Sequence, residues 1–185
     1  MMNEDPVVII GASRTPMGGF GGDFAELSAS ELGSAAISDS ISKAGIKADD
    51  VDDVIMGLVL AAGQGQAPAR QASIGAGIPK AVGATTINKM CGSGMKAAMI
   101  AHDNILAGTH CIMVAGGMES MTNAPYLLPK ARSGMRMGHD QVMDHMFLDG
   151  LEDVYDKGTL MGVYAENTAE AYQFTREAQD DFAIT

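Results

Sequence analysis

The sequence predicts an α/β fold, a mostly parallel sheet covered by helices on both faces. Three observations carry that expectation. Short apolar runs alternate with segments of helical periodicity, in the order β–α–β–α–β–α–β. The runs are mostly apolar, as in strands buried on both faces. Gly supplies 23 of the 185 residues, and many stand where one element hands over to the next.

Pro6–Gly11 (PVVIIG) is bounded by Pro and Gly and reads as a buried strand. Ala12–Gly22 holds Arg14, Pro16 and four glycines and reads as an ordered loop. It is no P-loop, because the Gly-Lys-Ser/Thr ending is absent. Ser30–Ala44 reads as a helix. Leu32, Ala35, Ala36, Ile37 and Ile41 recur at helical spacing, Ser28 or Ser30 can cap it, and Gly45 ends it. Asp49–Asp53 is an acidic turn and Val54–Leu60 the second strand. Ala61–Ala67 is a loop. Pro68 suits the start of a short helix over Ala69–Ala76 that stops at Gly77. Arg70, on that helix, either meets an acid or faces water. Ala84–Met90 is the third strand, Met95–Ala107 a helix closed by Gly108, and Cys111–Ala115 the fourth strand, closed by Gly116 and Gly117.

The character changes after Gly117, which divides the chain into 1–117 and 118–185. Met118–Tyr164 is rich in Met, Gly, His and charge, with weak periodicity. It carries Pro125, Pro129 and a basic patch of Lys130, Arg132 and Arg136. It reads as an excursion from the core. Leu160–Tyr172 is a helix, and Thr175 caps a last one that is still running at Thr185, as if the chain were cut inside an element.

Composition narrows the function. The net charge of −11 argues against nucleic acid or an anionic membrane surface as partner, since both need a basic face. Two cysteines, Cys91 and Cys111, do not make a disulfide framework. The N-terminus lacks the basic and long apolar regions of a leader. No stretch is apolar enough to span a membrane, so a reducing, cytoplasmic setting is expected. His139 and His145 lack the neighbouring ligands that a zinc site needs, so no metal is expected.

Cys91 is the candidate for chemistry. It stands where the third strand ends and an Ala-rich helix begins. The positive end of a helix dipole and its unpaired N–H groups favour thiolate over thiol. Gly92 and Gly94 let the backbone approach a bound group closely. The helix that follows is apolar nearly all round, so it reads as buried and as a rigid base for the cysteine. A lone Cys here is equally readable as a small core residue. Its place at the carboxyl end of a parallel strand, where ligands sit in such folds, supports the nucleophile. Cys111, inside a strand, reads as inert core. Gly92, Gly94 and Ala97 also spell a G-x-G-x-x-A fingerprint. It follows the third strand instead of the first, and its acidic partner would be Glu119, which follows a Gly-Gly turn instead of ending a strand. Both departures weigh against a dinucleotide.

Six segments, in order along the chain, carry a resemblance. They are RTPMGGFGG at 14–22, GQGQAPARQA at 63–72, NKMCGSGMKA at 88–97, GGMESMTNAPYLLP at 116–129, MGVYAENTAEAY at 161–172 and REAQDDFA at 176–183. Together they resemble the N-terminal portion of the thiolases, on their acetyl-CoA acetyltransferase branch. The resemblance implies an acyltransferase that condenses two acetyl-CoA reversibly to acetoacetyl-CoA and CoA through an acyl-Cys91 thioester. It implies that 1–117 is the N-terminal α/β domain lacking its last strand, and that 118–185 begins the loop domain covering coenzyme A. Leu151 and Met161 then help line the coenzyme A and acyl pocket. Met121–Arg136 matches the tetramerisation segment, so a homotetramer, a dimer of dimers, is implied. No cofactor is implied beyond coenzyme A thioesters as substrates, and the metabolic setting is of the fatty-acid or ketone-body type. The activating His and the second Cys of the family match nothing here, so the 185-residue chain alone is expected to be inactive. The short-chain branch carries His where this chain has Leu160, which leaves a 3-ketoacyl-CoA thiolase of longer chain preference as one alternative. The others are a non-catalytic coenzyme A-binding or assembly module and, in the wider superfamily, a ketoacyl synthase or hydroxymethylglutaryl-CoA synthase.

Overall fold

The structure, a computed structural model, describes residues 6–185. Residues 1–5, on which the expectation about a leader partly rests, lie outside the described residues.

Helix α1 (Ala29–Ala44) forms where its caps require. The Ser28 hydroxyl accepts the Glu31 N–H at 3.2 Å, and the Glu31 carboxylate accepts the Ser28 N–H at 2.8 Å. Each group satisfies a donor that the first helical turn leaves unpaired. The bond from the Ser28 N–H first, and one donated by the Ser28 hydroxyl at 2.8 Å second, hold the Glu31 carboxyl below its usual range. Gly45, at φ 69°, ends the helix in the left-handed region that glycine enters without strain.

The sheet has three parallel strands in the order β2-β1-β3. Strand β1 (Asp53–Gly57) lies between β2 (Gly83–Ile87) and β3 (Met113–Gly117). Its residues are nearly all buried, which explains the unbroken apolar run Val-Ile-Met. Side chains alternate across a strand. Val54 and Met56, with Leu58, join one apolar cluster with Ile37 and Ile41 of α1 and Ala69 and Ala72 of α2 (Pro68–Gly75). Gly57 faces the other way, against α3 (Ser93–Leu106). Helices therefore cover both faces, as expected. Helices α1 and α2 are joined by hydroxyls as well: Ser34 donates to the Ala72 carbonyl at 2.9 Å and Ser30 to that of Pro68 at 3.3 Å. At the opposite end of the strands the Asp52 carboxylate accepts the amides of Cys111 (2.7 Å) and Ile112 (2.9 Å). The Ile112 bond first and the Cys111 bond second hold that carboxyl below its usual range.

Three expectations need correction. Pro6–Gly11 is not a strand: it has no regular structure, and Ile9 is 89% exposed. A strand exists through the ladder it makes with a neighbour, and none of the described residues pairs with this run. Helix α3 is buried on one stripe only, through Ser93, Ala97 and Ala101. Met95, Met99 and Leu106 are exposed, because a single sheet covers one side of a helix. Cys111 precedes β3 and is exposed, not core. Its place is set by its backbone N–H on Asp52, not by apolar burial.

After Gly117 the elements are small. Strands β4 (Tyr126–Leu127) and β5 (Met143–Asp144) pair antiparallel. A single π-helical turn follows at Phe147–Leu151, closed by the Glu152 N–H on the Phe147 carbonyl at 2.8 Å. Helix α4 (Met161–Tyr172) and helix α5 (Arg176–Ile184) match the expected positions, and the Thr175 hydroxyl caps α5 by accepting the Ala178 N–H. Among the described residues no helix is long and apolar enough to cross a membrane.

Candidate active site

Cys91 sits in a turn whose every neighbour is held. The Ser93 hydroxyl accepts the Lys89 N–H at 2.8 Å and donates to the Met90 carbonyl at 2.6 Å. The Asn88 side chain accepts the Met90 N–H at 2.9 Å, and the Gly92 N–H returns to the Lys89 carbonyl at 3.2 Å. Met90 is left-handed at φ 50°, a region that costs a non-glycine residue free energy and persists only where surroundings enforce it. The bonds on either side of Cys91 enforce it here. Helix α3 begins two residues after the cysteine, so its positive end lies beside the exposed thiol.

The turn is pressed against the carboxyl ends of the strands. A Cβ added to Gly57, the last residue of β1, would stand 2.5 Å from the Ser93 Cβ and 3.0 Å from the Gly94 nitrogen. Only glycine permits that approach. One added to Gly94 would meet Gly116 and Gly117 of β3 at 3.7 Å. The Leu58 N–H donates to the Ile87 carbonyl and the Met118 N–H to that of Gly57. The ends of all three strands thus form one platform, and Cys91 stands on its edge.

Glu119 belongs to this platform. Its two carboxylate oxygens accept the Val59 and Leu60 amides, each at 3.0 Å. The acid that a dinucleotide would need for its ribose is occupied in fixing the segment that leaves β1. Arg70 neither meets an acid nor faces water alone: its guanidinium donates to the Lys80 carbonyl at 2.9 Å.

Leu151 closes the π-turn and is half-buried, and Met161 opens α4 and is exposed. A bridge between Glu152 and Leu160 brings their two chain segments side by side. Cys91 stands on a different element. The link between them is the segment after β1, because a Cβ at Gly150 would lie 3.3 Å from the Leu60 side chain. That segment is held a second time, by His145. This residue is buried, accepts the Ala62 N–H at Nε2 (3.3 Å) and reaches Asp149 from Nδ1 (2.6 Å). The sequence raises His145 as a metal ligand or an activating base and supports neither. Its spacing of four from Asp149 was the available signal for a His–carboxylate pair on one turn. Among the described residues no three metal-ligating side chains converge.

A family profile, the thiolase N-terminal domain, matches residues 7–185. The chain is 53% identical over 178 residues to an acetyl-CoA acetyltransferase of Cupriavidus necator, covering 96% of this chain and 45% of that protein. It is 53% identical over 184 residues to acetyl-CoA acetyltransferase 2 of Arabidopsis thaliana, covering 99% of this chain and 45% of that protein. A cytosolic acetyl-CoA acetyltransferase of Gibberella zeae is 47% identical over 184 residues, with 100% of this chain and 46% of that protein covered. The chain thus spans a little under half the length of the curated relatives it matches.

Proposed function

This chain belongs to the thiolase family, as its N-terminal domain, and from that premise we propose that the full-length protein is an acetyl-CoA acetyltransferase with Cys91 as its nucleophile. The Cys91 sulfur attacks the carbonyl of acetyl-CoA, forming an S–C bond as the bond to the coenzyme A sulfur breaks. Coenzyme A leaves and takes up a proton. A second acetyl-CoA loses an α-proton to a base supplied outside these 185 residues. Its carbanion forms a C–C bond to the acyl carbon, and Cys91 leaves as thiolate. A thiolate suits both directions, because it is as good a leaving group as it is a nucleophile.

The observation that carries this reading is the held turn at 88–93. It offers an exposed thiol at the positive end of α3, on the platform of strand ends. The platform gives the acyl group a rigid base. Leu151 and Met161 belong, on this reading, to the wall for coenzyme A and the acyl chain, and 118–185 to the domain that covers the substrate. Substrates are acetyl-CoA, acetoacetyl-CoA and CoA, with no cofactor or metal. The protein is read as a cytoplasmic homotetramer in metabolism of the fatty-acid or ketone-body type, and further acid–base groups lie beyond Thr185. The test is mass spectrometry of the full-length protein after brief exposure to acetyl-CoA. An acetyl increment on the Cys91 peptide, absent in Cys91→Ser, is expected, with a roughly thousandfold or greater loss of turnover in that variant. Turnover that survives Cys91→Ser overturns the reading.

One observation favours a second reading of specificity. Leu160 stands where the short-chain branch carries His, so a longer acyl preference is the alternative. A series of 3-ketoacyl-CoA substrates of increasing length decides between them by kcat/KM.

A further inference from the structure

We infer that His145 is a positioning residue for acyl-CoA binding. It acts by pinning the turn that carries Leu151 to the segment leaving the central strand. The inference rests on the reading above that Leu151 lines the substrate pocket.

The protonation pattern of His145 follows from its partners. A backbone N–H can only donate, so Nε2, which faces the Ala62 amide, is an acceptor and carries no proton. The ring proton is therefore on Nδ1, directed at the Asp149 carboxylate. One imidazole ring thus joins two chain segments more than eighty residues apart in sequence, and Asp149 fixes which nitrogen does which. The backbone N–H of His145 is also used, on the Pro125 carbonyl at 3.2 Å. The side chain has no freedom to serve as a general acid or base without breaking one of these bonds.

What the pin holds is specific. Asp149 lies inside the π-turn Phe147–Leu151, and Ala62 lies two residues past Leu60, whose amide is fixed by Glu119. Gly150 rests on the Leu60 side chain. A π-turn has poor intrinsic stability and is typically retained where it aims a side chain. No apolar residue of this one is fully buried, so its position is not set by core packing. It is set by the His145 ring on one side and Gly150 on the other. Through Leu60 and Glu119 the π-turn is referenced to the same strand ends that hold Cys91.

The test compares His145→Leu and His145→Gln in the full-length protein. The Leu variant keeps the bulk and loses both bonds. The Gln variant restores an acceptor for the Ala62 N–H. For the Leu variant we expect KM for acetyl-CoA to rise about tenfold, while the rate of Cys91 acetylation at saturation stays within about threefold of the parent. Hydrogen-exchange protection of the 147–151 peptide should fall with it. The Gln variant should recover most of both. A KM within twofold of the parent in the Leu variant overturns the inference, whether or not its melting temperature falls, because the pin is then structural only. If the Leu variant does not fold, Asp149→Ala decides in its place: it removes the Nδ1 partner and leaves His145 itself, and a KM within twofold of the parent there overturns the inference. Absence of any acetyl-Cys91 in the parent is a different failure, that of the thiolase reading, and takes this role with it.

Discussion

Two regions of this chain are held together by different physics. Among the described residues, every fully buried apolar side chain lies between Ala29 and Met118. From 119 to 185 only Ser120 and His145 are buried, and both are polar. The first region is a folded core in the ordinary sense, driven by removal of apolar surface from water. In the second, the segment 119–145 is tied to that core by hydrogen bonds: Glu119 on the amides of Val59 and Leu60, Asn123 on the carbonyls of Ala25 and Leu27, and His145 on Ala62. Directional ties define position sharply but resist unfolding weakly, since each nets about 1 kcal/mol.

The contrast can be broken most severely at Gly57. Gly57→Ala forces a Cβ into the Ser93 backbone and side chain, so it should destabilise by about 1–3 kcal/mol and displace the Cys91 turn. Chemical denaturation with acetylation of Cys91 measured in parallel checks both. Ser28→Ala removes one half of the capping box of α1 and should cost about 1 kcal/mol, read as a lower denaturation midpoint with Cys91 reactivity unchanged. Asp52 supplies the pH-dependent entry. Its folded-state value lies below the usual 3.8, so its contribution is fully present well above 3.8 and is lost as pH falls through the folded value. Asp52→Asn should therefore flatten the loss of stability between neutral pH and pH 3, measured as denaturation midpoints across that range. The mildest effect should come from the other region. Gly162, in the first turn of α4, has nothing within 4 Å of an added Cβ. Gly162→Ala should be neutral or stabilise by up to about 1 kcal/mol. A cost as large as that at Gly57 would mean that α4 is packed as tightly as the core.

The same division governs what could be read in advance. In the core, local signals and burial agree. Ser28 with Glu31, Pro68 and Gly45 mark helix ends by backbone chemistry, and the run before Gly57 marks a strand buried on both faces. The place of Cys91 between a strand and a helix is legible because a strand, a small-residue turn and a helix follow one another without interruption. Errors came where burial depends on a neighbour that sequence cannot name. Pro6–Gly11 has the composition of a strand but no ladder partner among the described residues. Met95 and Met99 have core composition on a face that one sheet cannot reach. Cys111 was placed by Asp52, which lies fifty-nine residues away. In the second region a two-residue pairing of Tyr126–Leu127 with Met143–Asp144 and a π-turn have no period to detect. His145 was missed because a single ring linking two loops leaves no pattern except its spacing from Asp149.

Met90 has a consequence for the range of sequences this turn can accept. Its left-handed backbone excludes β-branched residues on steric grounds and welcomes glycine and asparagine. A saturation library at position 90, sorted for folded protein, should therefore be enriched in Gly and Asn and depleted of Val, Ile and Thr. Sorted instead for acyl transfer, the glycine class should fall back, because freedom at that residue lets the neighbouring sulfur wander. Mutational tolerance and catalytic tolerance would then diverge at a residue that bears no reactive group.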